Sequence, residues 1–415
     1  MTLERRTTAA LGASQLLAWA SSYYLLAILA VPMAAEFGIA KVAVYAMFSA
    51  ALVVAAALGP VMGRAVDKRG GRRMLMLSNG VFASAQLLMA TAQHPAQLAL
   101  GWLLLGAAMP MGLYDAAFAT LVRLFGTAAR PRIVGVTLIA GFASSVSWPL
   151  TAFVEHHAGW RWACALWALL HLTVGLFIHA RLLPRDDADA PSPASGGGLG
   201  WGRSPSKLEQ SKPPTPPSQP PPASGGRSEA GPSRSVLWLL ATVFAASGFT
   251  FAAFAAHLPR VLEAAGASTA AAVFAASLVG ASQVVARVLE VGVFSRWHPL
   301  YSARISLALH PLGVLLLGLF GAPAAVLFTV LHGAGVGLMT IVKGTLPLAL
   351  FGPQGFGERS GWLEAPSRVM QASAPILFGL AVDGWGVHAI WLTGVAMFLS
   401  FLAVLWLRRS QASAR

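Results

Sequence analysis

Few ionisable side chains interrupt the long apolar runs of this 415-residue chain, and its chemistry must sit largely with them. A charge within the hydrocarbon of a bilayer is costly, so it persists where it pairs, titrates or meets a solute. Asp115 and Lys343 are two such residues, 228 positions apart. Arg287 with Glu290, and Glu364 with Arg368, have the spacings that bring two side chains onto one helix face, so local neutralisation is the expectation for each pair. Gln15, Trp19 and Tyr23 recur every four residues and would share a face, with Ser22 beside them. Such a polar and aromatic stripe suits a cavity wall for a partly apolar solute, although helix packing explains Trp19 equally well. Ser247, Phe251 and Phe254 form a similar face, where core packing is favoured. Glu155, His156 and His157 are adjacent, and neighbours on a helix diverge by about 100 degrees, so a shared chelate is awkward and solvated positions are expected. His310 and His332 show no partner pattern and read as polar packing groups. A single cysteine, Cys164, excludes an internal disulfide and a multi-cysteine metal site. No phosphate-binding loop and no catalytic triad are visible, so neither an enzyme, a metal nor a cofactor is expected.

The elements that position these residues are membrane helices. A chain 56% apolar and 11% charged, with mean hydropathy +0.66, cannot hide its apolar surface in a water-soluble globule. A helix needs about 20 apolar residues to cross the hydrocarbon, where each backbone amide must be satisfied internally. Twelve such runs can be drawn, six before residue 184 and six after residue 235. The first, from Ala9 to about Met33, is too long for a signal-peptide core and reads as an uncleaved span. Residues 184–235 hold twelve of the 26 prolines with Ser, Gly and scattered charge, the composition of a disordered linker. The organisation is therefore an all-α membrane protein: bundle 1–183, linker 184–235, bundle 236–415.

The net charge of +14 reflects topology rather than nucleic-acid binding, because the cations fall in the short gaps between apolar runs. One set of span ends holds Arg5, Arg6, Arg64, Lys68, Arg69, Arg72, Arg73, Arg123, Arg130, Arg132, Arg181, Arg185, Arg296, Arg304, Arg359, Arg408, Arg409 and Arg415, with the linker. The other set holds Lys41, Arg161 and Arg260. The first face is thus the cytoplasmic one, and both termini lie inside, as an even number of spans requires.

The two halves match at a nearly constant offset. Phe125-Gly126, Gly135 and Pro149 recur 226 residues later as Phe351-Gly352, Gly361 and Pro375, and Pro32 recurs 227 later as Pro259. Two pseudo-symmetric six-helix bundles with a site at their interface are the plan of a rocking-bundle secondary transporter. Between spans two and three stand Gly63, Asp67, Lys68, Gly70, Arg72 and Arg73. With this loop, the six-plus-six spans and the linker, the chain resembles the major facilitator superfamily.

The resemblance implies a cytoplasmic latch in that loop, with Gly63, Asp67, Lys68, Gly70 and Arg72 as gating candidates. Asp67 can accept from a helix N-terminus or pair with an arginine across the bundle. In the second half the equivalent turn has Arg296 where the acid would stand, so the latch is expected to be asymmetric. Trp102 replaces the span-four arginine of many proton-coupled members, and Gly141 to Pro149 lacks the glycine-rich pattern of drug antiporters. Arg130, Arg132, Gly135 and Gly159-Trp160-Arg161 resemble the monocarboxylate and oxalate/formate branch, which implies that Arg287 holds a substrate carboxylate. Gln283 stands where that branch has an acid, and it does not titrate.

Spans one, four, seven and ten line the cavity in this superfamily, so Asp115 and Lys343 are expected to face each other across the pathway. Asp115, Lys343, Arg287, Gln283, Tyr23 and Trp19 are then the candidates for substrate and coupling. The expectation is a monomeric transporter in a bacterial inner membrane, moving a small organic anion with protons by alternating access. Export of an amphipathic compound and a non-transporting membrane sensor are the alternatives.

Overall fold

The protein is described by a computed structural model covering residues 2–185 and 234–407; the body of the linker and Arg408, Arg409 and Arg415 lie outside the described residues. The described residues are almost wholly helical, in fifteen α-helices. The first half holds α1 (Leu3–Ala20), α2 (Leu25–Phe37), α3 (Lys41–Arg69), α4 (Gly71–Ala90), α5 (Pro95–Gly112), α6 (Tyr114–Phe125), α7 (Arg130–Ala140), α8 (Ala143–Ala158) and α9 (Trp160–Leu170). The second holds α10 (Arg234–Ala264), α11 (Thr269–Gly292), α12 (Pro299–Phe320), α13 (Ala325–Phe351), α14 (Phe356–Trp385) and α15 (Ile390–Trp406).

Among the described residues, nine helical stretches are long and apolar enough to cross a bilayer. Two of them, Pro95–Ala158 and Phe356–Trp406, contain a 3-10 turn at Gly126–Ala129 and Gly386–Ala389, and α4 falls outside the nine.

Three of the anticipated spans are broken: the first between α1 and α2, the fourth between α5 and α6, the fifth between α7 and α8. A break frees carbonyls that nothing in hydrocarbon can satisfy, and polar side chains take them up. Gln15 Nε2 donates to Gly112 O at 2.7 Å, Ser147 Oγ to Ala20 O at 2.7 Å and Gln86 Nε2 to Ser21 O at 2.8 Å. Beyond α9 the chain continues in two π-helical turns, His171–Gly175 and Ile178–Leu182.

Four apolar clusters fill the molecule. Two draw on residues up to Leu183 with Ala372, Leu348 and Phe356 added, and two draw only on residues after 235. The halves meet most closely where α3 crosses α14. A Cβ on Gly63 would sit 2.0 Å from Gly357 O, and one on Gly361 2.5 Å from Gly59 O, so the two backbones touch. Gly333 and Gly337 give the same intimacy between α13 and α11, where a Cβ would come within 2.8 Å of Val279 O and 2.6 Å of Gln283 O.

Candidate functional site

A cavity of about 150 Å³ lies between the halves, walled by parts of α1, α6, α10, α11, α12, α13 and α14. Five formal charges line it: Asp115 in the first turn of α6, Arg287 on α11, Lys343 on α13, and Glu364 and Arg368 on α14. Asp115 and Lys343 do not pair with each other. Arg368 donates to Asp115 across the halves and, through Nη1, to Ala55 O at 2.9 Å. Lys343 Nζ donates to Glu364 Oε2 at 2.8 Å and to Ser367 Oγ at 3.1 Å. Glu364 and Arg368 stand one turn apart on α14, so that helix offers a carboxylate and a guanidinium side by side, and each cavity charge takes its complement. The local Glu364–Arg368 pairing that their spacing suggested does not form.

Nor does the Arg287–Glu290 pair. Glu290 is fully buried and accepts from Ser302 Oγ at 2.7 Å and from Arg130 Nη2 at 3.4 Å. Arg287 is left with Gln283 Oε1 at 3.4 Å, its Nε has no partner, and it is only 5% exposed. The guanidinium fits where α7 breaks from α8: a Cβ on Gly141 would sit 2.4 Å from Arg287 Nη1. Two acids thus neutralise two bases, and one buried cation remains without a carboxylate.

Aromatic rings cover the first-half wall. Trp19 packs on Tyr23 and on Tyr114 with ring centroids 4.6 and 5.0 Å apart, and Tyr23 Oη donates to Gln371 Oε1 at 3.5 Å. Trp19, Tyr23 and Gln283 all line the cavity. Gln15, expected on the same stripe, is buried instead, with its amide donating to the carbonyl that ends α5. His310 and His332 also reach the cavity, and they bond to each other, Nδ1 to Nδ1 at 3.0 Å, a partnership absent from the sequence reading.

At the basic end of the molecule Asp67 reaches the other half. Gly357 N donates to its Oδ1 and Glu358 N to its Oδ2, both at 2.9 Å, so the carboxylate caps the N-terminus of α14, where backbone N–H groups and the helix dipole are positive. Arg64 pairs with Glu358 beside it. Gly63 permits the approach, and Gly70, at φ +88, makes the turn into α4. Lys68 is exposed, and Arg72 holds the end of the π-helical segment through His179 O at 3.2 Å. A second tie joins α7 to α11: Arg130 donates to Glu290, to Phe294 O at 3.4 Å and to Trp297 O. Arg296, which stands at the acid's position, is exposed. The pairs Arg64–Glu358, Asp115–Arg368 and Arg130–Glu290 were not read from sequence, since a pair across the halves leaves no local spacing.

The family model of the Major Facilitator Superfamily matches residues 11–340. No curated protein matches the chain at a significant level. Solved structures match over nearly its whole length. The human organic anion transporter MFSD10 is 17% identical with TM-score 0.67, covering 97% of this chain and 100% of its own. The proton:xylose symporter XylE is 13% identical with TM-score 0.69, covering 96% and 94%. FucP, in the outward conformation, is 14% identical with TM-score 0.70, covering 98% and 99%. At these identities the likeness is one of fold.

Proposed function

The chain belongs to the major facilitator superfamily, and from that membership we propose that it moves a small organic anion across a bacterial inner membrane by alternating access, coupled to protons. Arg287 is the residue on which this reading rests. A buried guanidinium without a carboxylate is unfavourable, and a solute carboxylate of the right size removes the deficit through a bidentate pair. The aromatic rings of Trp19, Tyr23 and Tyr114 would take the apolar part of that solute. The family contains transporters rather than enzymes, and one of the structures alike in fold is titled an organic anion transporter.

We take the basic face as cytoplasmic, since the Lys and Arg residues collect there. The Asp67 cap and the Arg130 tie then close the cytoplasmic side, which leaves the cavity to be reached from outside. FucP, alike in fold, was solved in an outward conformation. A single chain encloses the cavity, so the working unit is taken as a monomer.

Uptake of labelled monocarboxylates into proteoliposomes tests the proposal. Arg287→Lys is expected to lower uptake at least tenfold, because an ammonium offers no planar fork. Undiminished anion uptake by Arg287→Lys removes the anion reading and favours export of amphipathic compounds, for which the aromatic lining speaks. Binding without flux in the wild-type chain identifies a sensor instead.

A further inference from the structure

His310 on α12 and His332 on α13 are both buried on the cavity wall, packed against Phe254 and Phe328. Their Nδ1 atoms stand 3.0 Å apart, so one of the two must carry a proton and the other a lone pair. Thr393 decides which. Its hydroxyl donates to Ile390 O at 2.8 Å, which leaves the oxygen to accept from His310 Nε2 at 3.1 Å. His310 therefore has its proton on Nε2 and its lone pair on Nδ1, and His332 donates Nδ1–H into that lone pair. The free lone pair of the chain is on His332 Nε2. That atom is not among the buried polar atoms left without a partner, and the residue lines the cavity, so Nε2 keeps access to it.

We propose that His332 Nε2 is the proton-binding site of this cavity, held ready by the relay Thr393–His310–His332. A proton taken from water at Nε2 makes an imidazolium without breaking a hydrogen bond. Nδ1–H continues to donate into His310, and the new Nε2–H is presented to the cavity. Facing the pair are the rings of Phe254 from α10 and Phe328 from α13, with Thr393 from α15; His257, further along α10, is bonded to Pro375 O at 2.7 Å. The cavity's charged groups are Asp115, Arg287, Lys343, Glu364 and Arg368. Among the described residues no carboxylate lies within ion-pair distance of either ring, and four of those five charges neutralise in two pairs.

An imidazolium there adds to the uncompensated charge of Arg287, so it is disfavoured until an anion enters. By linkage, anion entry and proton uptake then support each other equally. This supplies the titrating group that Gln283 cannot be. It deepens the proton coupling proposed above and rests on that reading for its part in transport, though not for the titration itself.

Histidine-ring nitrogen resonances of the full chain, labelled with ¹⁵N and held in lipid nanodiscs, test it. Between about pH 4 and 9 one buried imidazole, identified by its loss in His332→Gln, is expected to gain one proton at Nε2. Benzoate, as the probe anion, is expected to raise its midpoint by about one pH unit, and neutral benzamide to leave it in place. A His332 ring that stays neutral across the range overturns the proposal. A midpoint indifferent to benzoate supports the proton site and counts against the organic-anion reading, so the two failures are distinguishable. If His332→Gln does not fold, Thr393→Val serves: it removes the acceptor of His310 Nε2–H, and a titrating resonance that does not shift overturns the relay.

Discussion

Arg368 is 7% exposed at its side chain and Asp115 15%, so each answers the other's charge in a setting with little water. Removing one partner of a buried pair typically destabilises by about 3 kcal/mol, because the survivor keeps its charge without compensation. Asp115→Asn is therefore expected to lower the melting temperature of the purified protein, and the double variant with Arg368→Gln to recover at least half of that loss. A double variant no more stable than the single one would show that the two residues act separately. Of the site, the candidates Asp115, Lys343, Arg287, Trp19 and Tyr23 were legible as residues, because charge and aromatic polarity inside apolar runs stand out. Their partners were partly legible in principle. In an antiparallel helix pair, positions equidistant from the turn share a depth. Lys343 and Glu364 flank the Gly352–Gly355 turn in this way, and His310 and His332 flank Gly321, whereas the i, i+4 spacing of Glu364 and Arg368 pointed to the wrong pairing. Asp115–Arg368 obeys no such rule, since it joins different halves.

At the scale of elements, the crossing of α3 and α14 leaves no room for a side chain at Gly63. Gly63→Ala would put a methyl group 2.0 Å from a backbone carbonyl, so the helices must separate. Transport by this variant is expected to fall at least tenfold while the protein still inserts, measured as initial uptake per mole of reconstituted protein. Asp67→Asn keeps the shape and removes the charge that meets the α14 N-terminus. Helix caps and dipole contacts are typically worth about 0.5 to 2 kcal/mol, which amounts to a few-fold to thirtyfold change in the balance of closed and open forms. A cysteine placed at Trp19 reports that balance, and in Asp67→Asn its modification from the basic face is expected to quicken by such a factor. Unchanged modification and unchanged uptake would leave the loop only its topological part. The runs of about 20 apolar residues made the helices readable, yet the breaks between α1 and α2, α5 and α6, and α7 and α8 were not. The first two depend on side chains from other helices to take the freed carbonyls, Ser147 on Ala20 and Gln15 on Gly112.

For the whole molecule, the repeat and the basic loops made the architecture readable, but not which ends of the halves touch. The sidedness is checked by labelling intact cells and inverted vesicles, and Cys164, buried with no exposed surface, leaves the native background quiet. Lys68→Cys is expected to react with a membrane-impermeant maleimide only in inverted vesicles, and His157→Cys only in intact cells; the reverse pattern would invert the orientation. The two ties at the basic end differ in sign. Asp67 brings a negative charge to the N-terminus of α14, and Arg130 brings a positive one to Glu290 and to carbonyls of the turn that follows α11. Both residues belong to the first half and travel with it. One elementary charge crossing 100 mV is worth about 2.3 kcal/mol, but an equal and opposite pair displaced together does no net electrical work. Between them these two ties are therefore expected to add nothing to any voltage dependence of a movement of one half against the other.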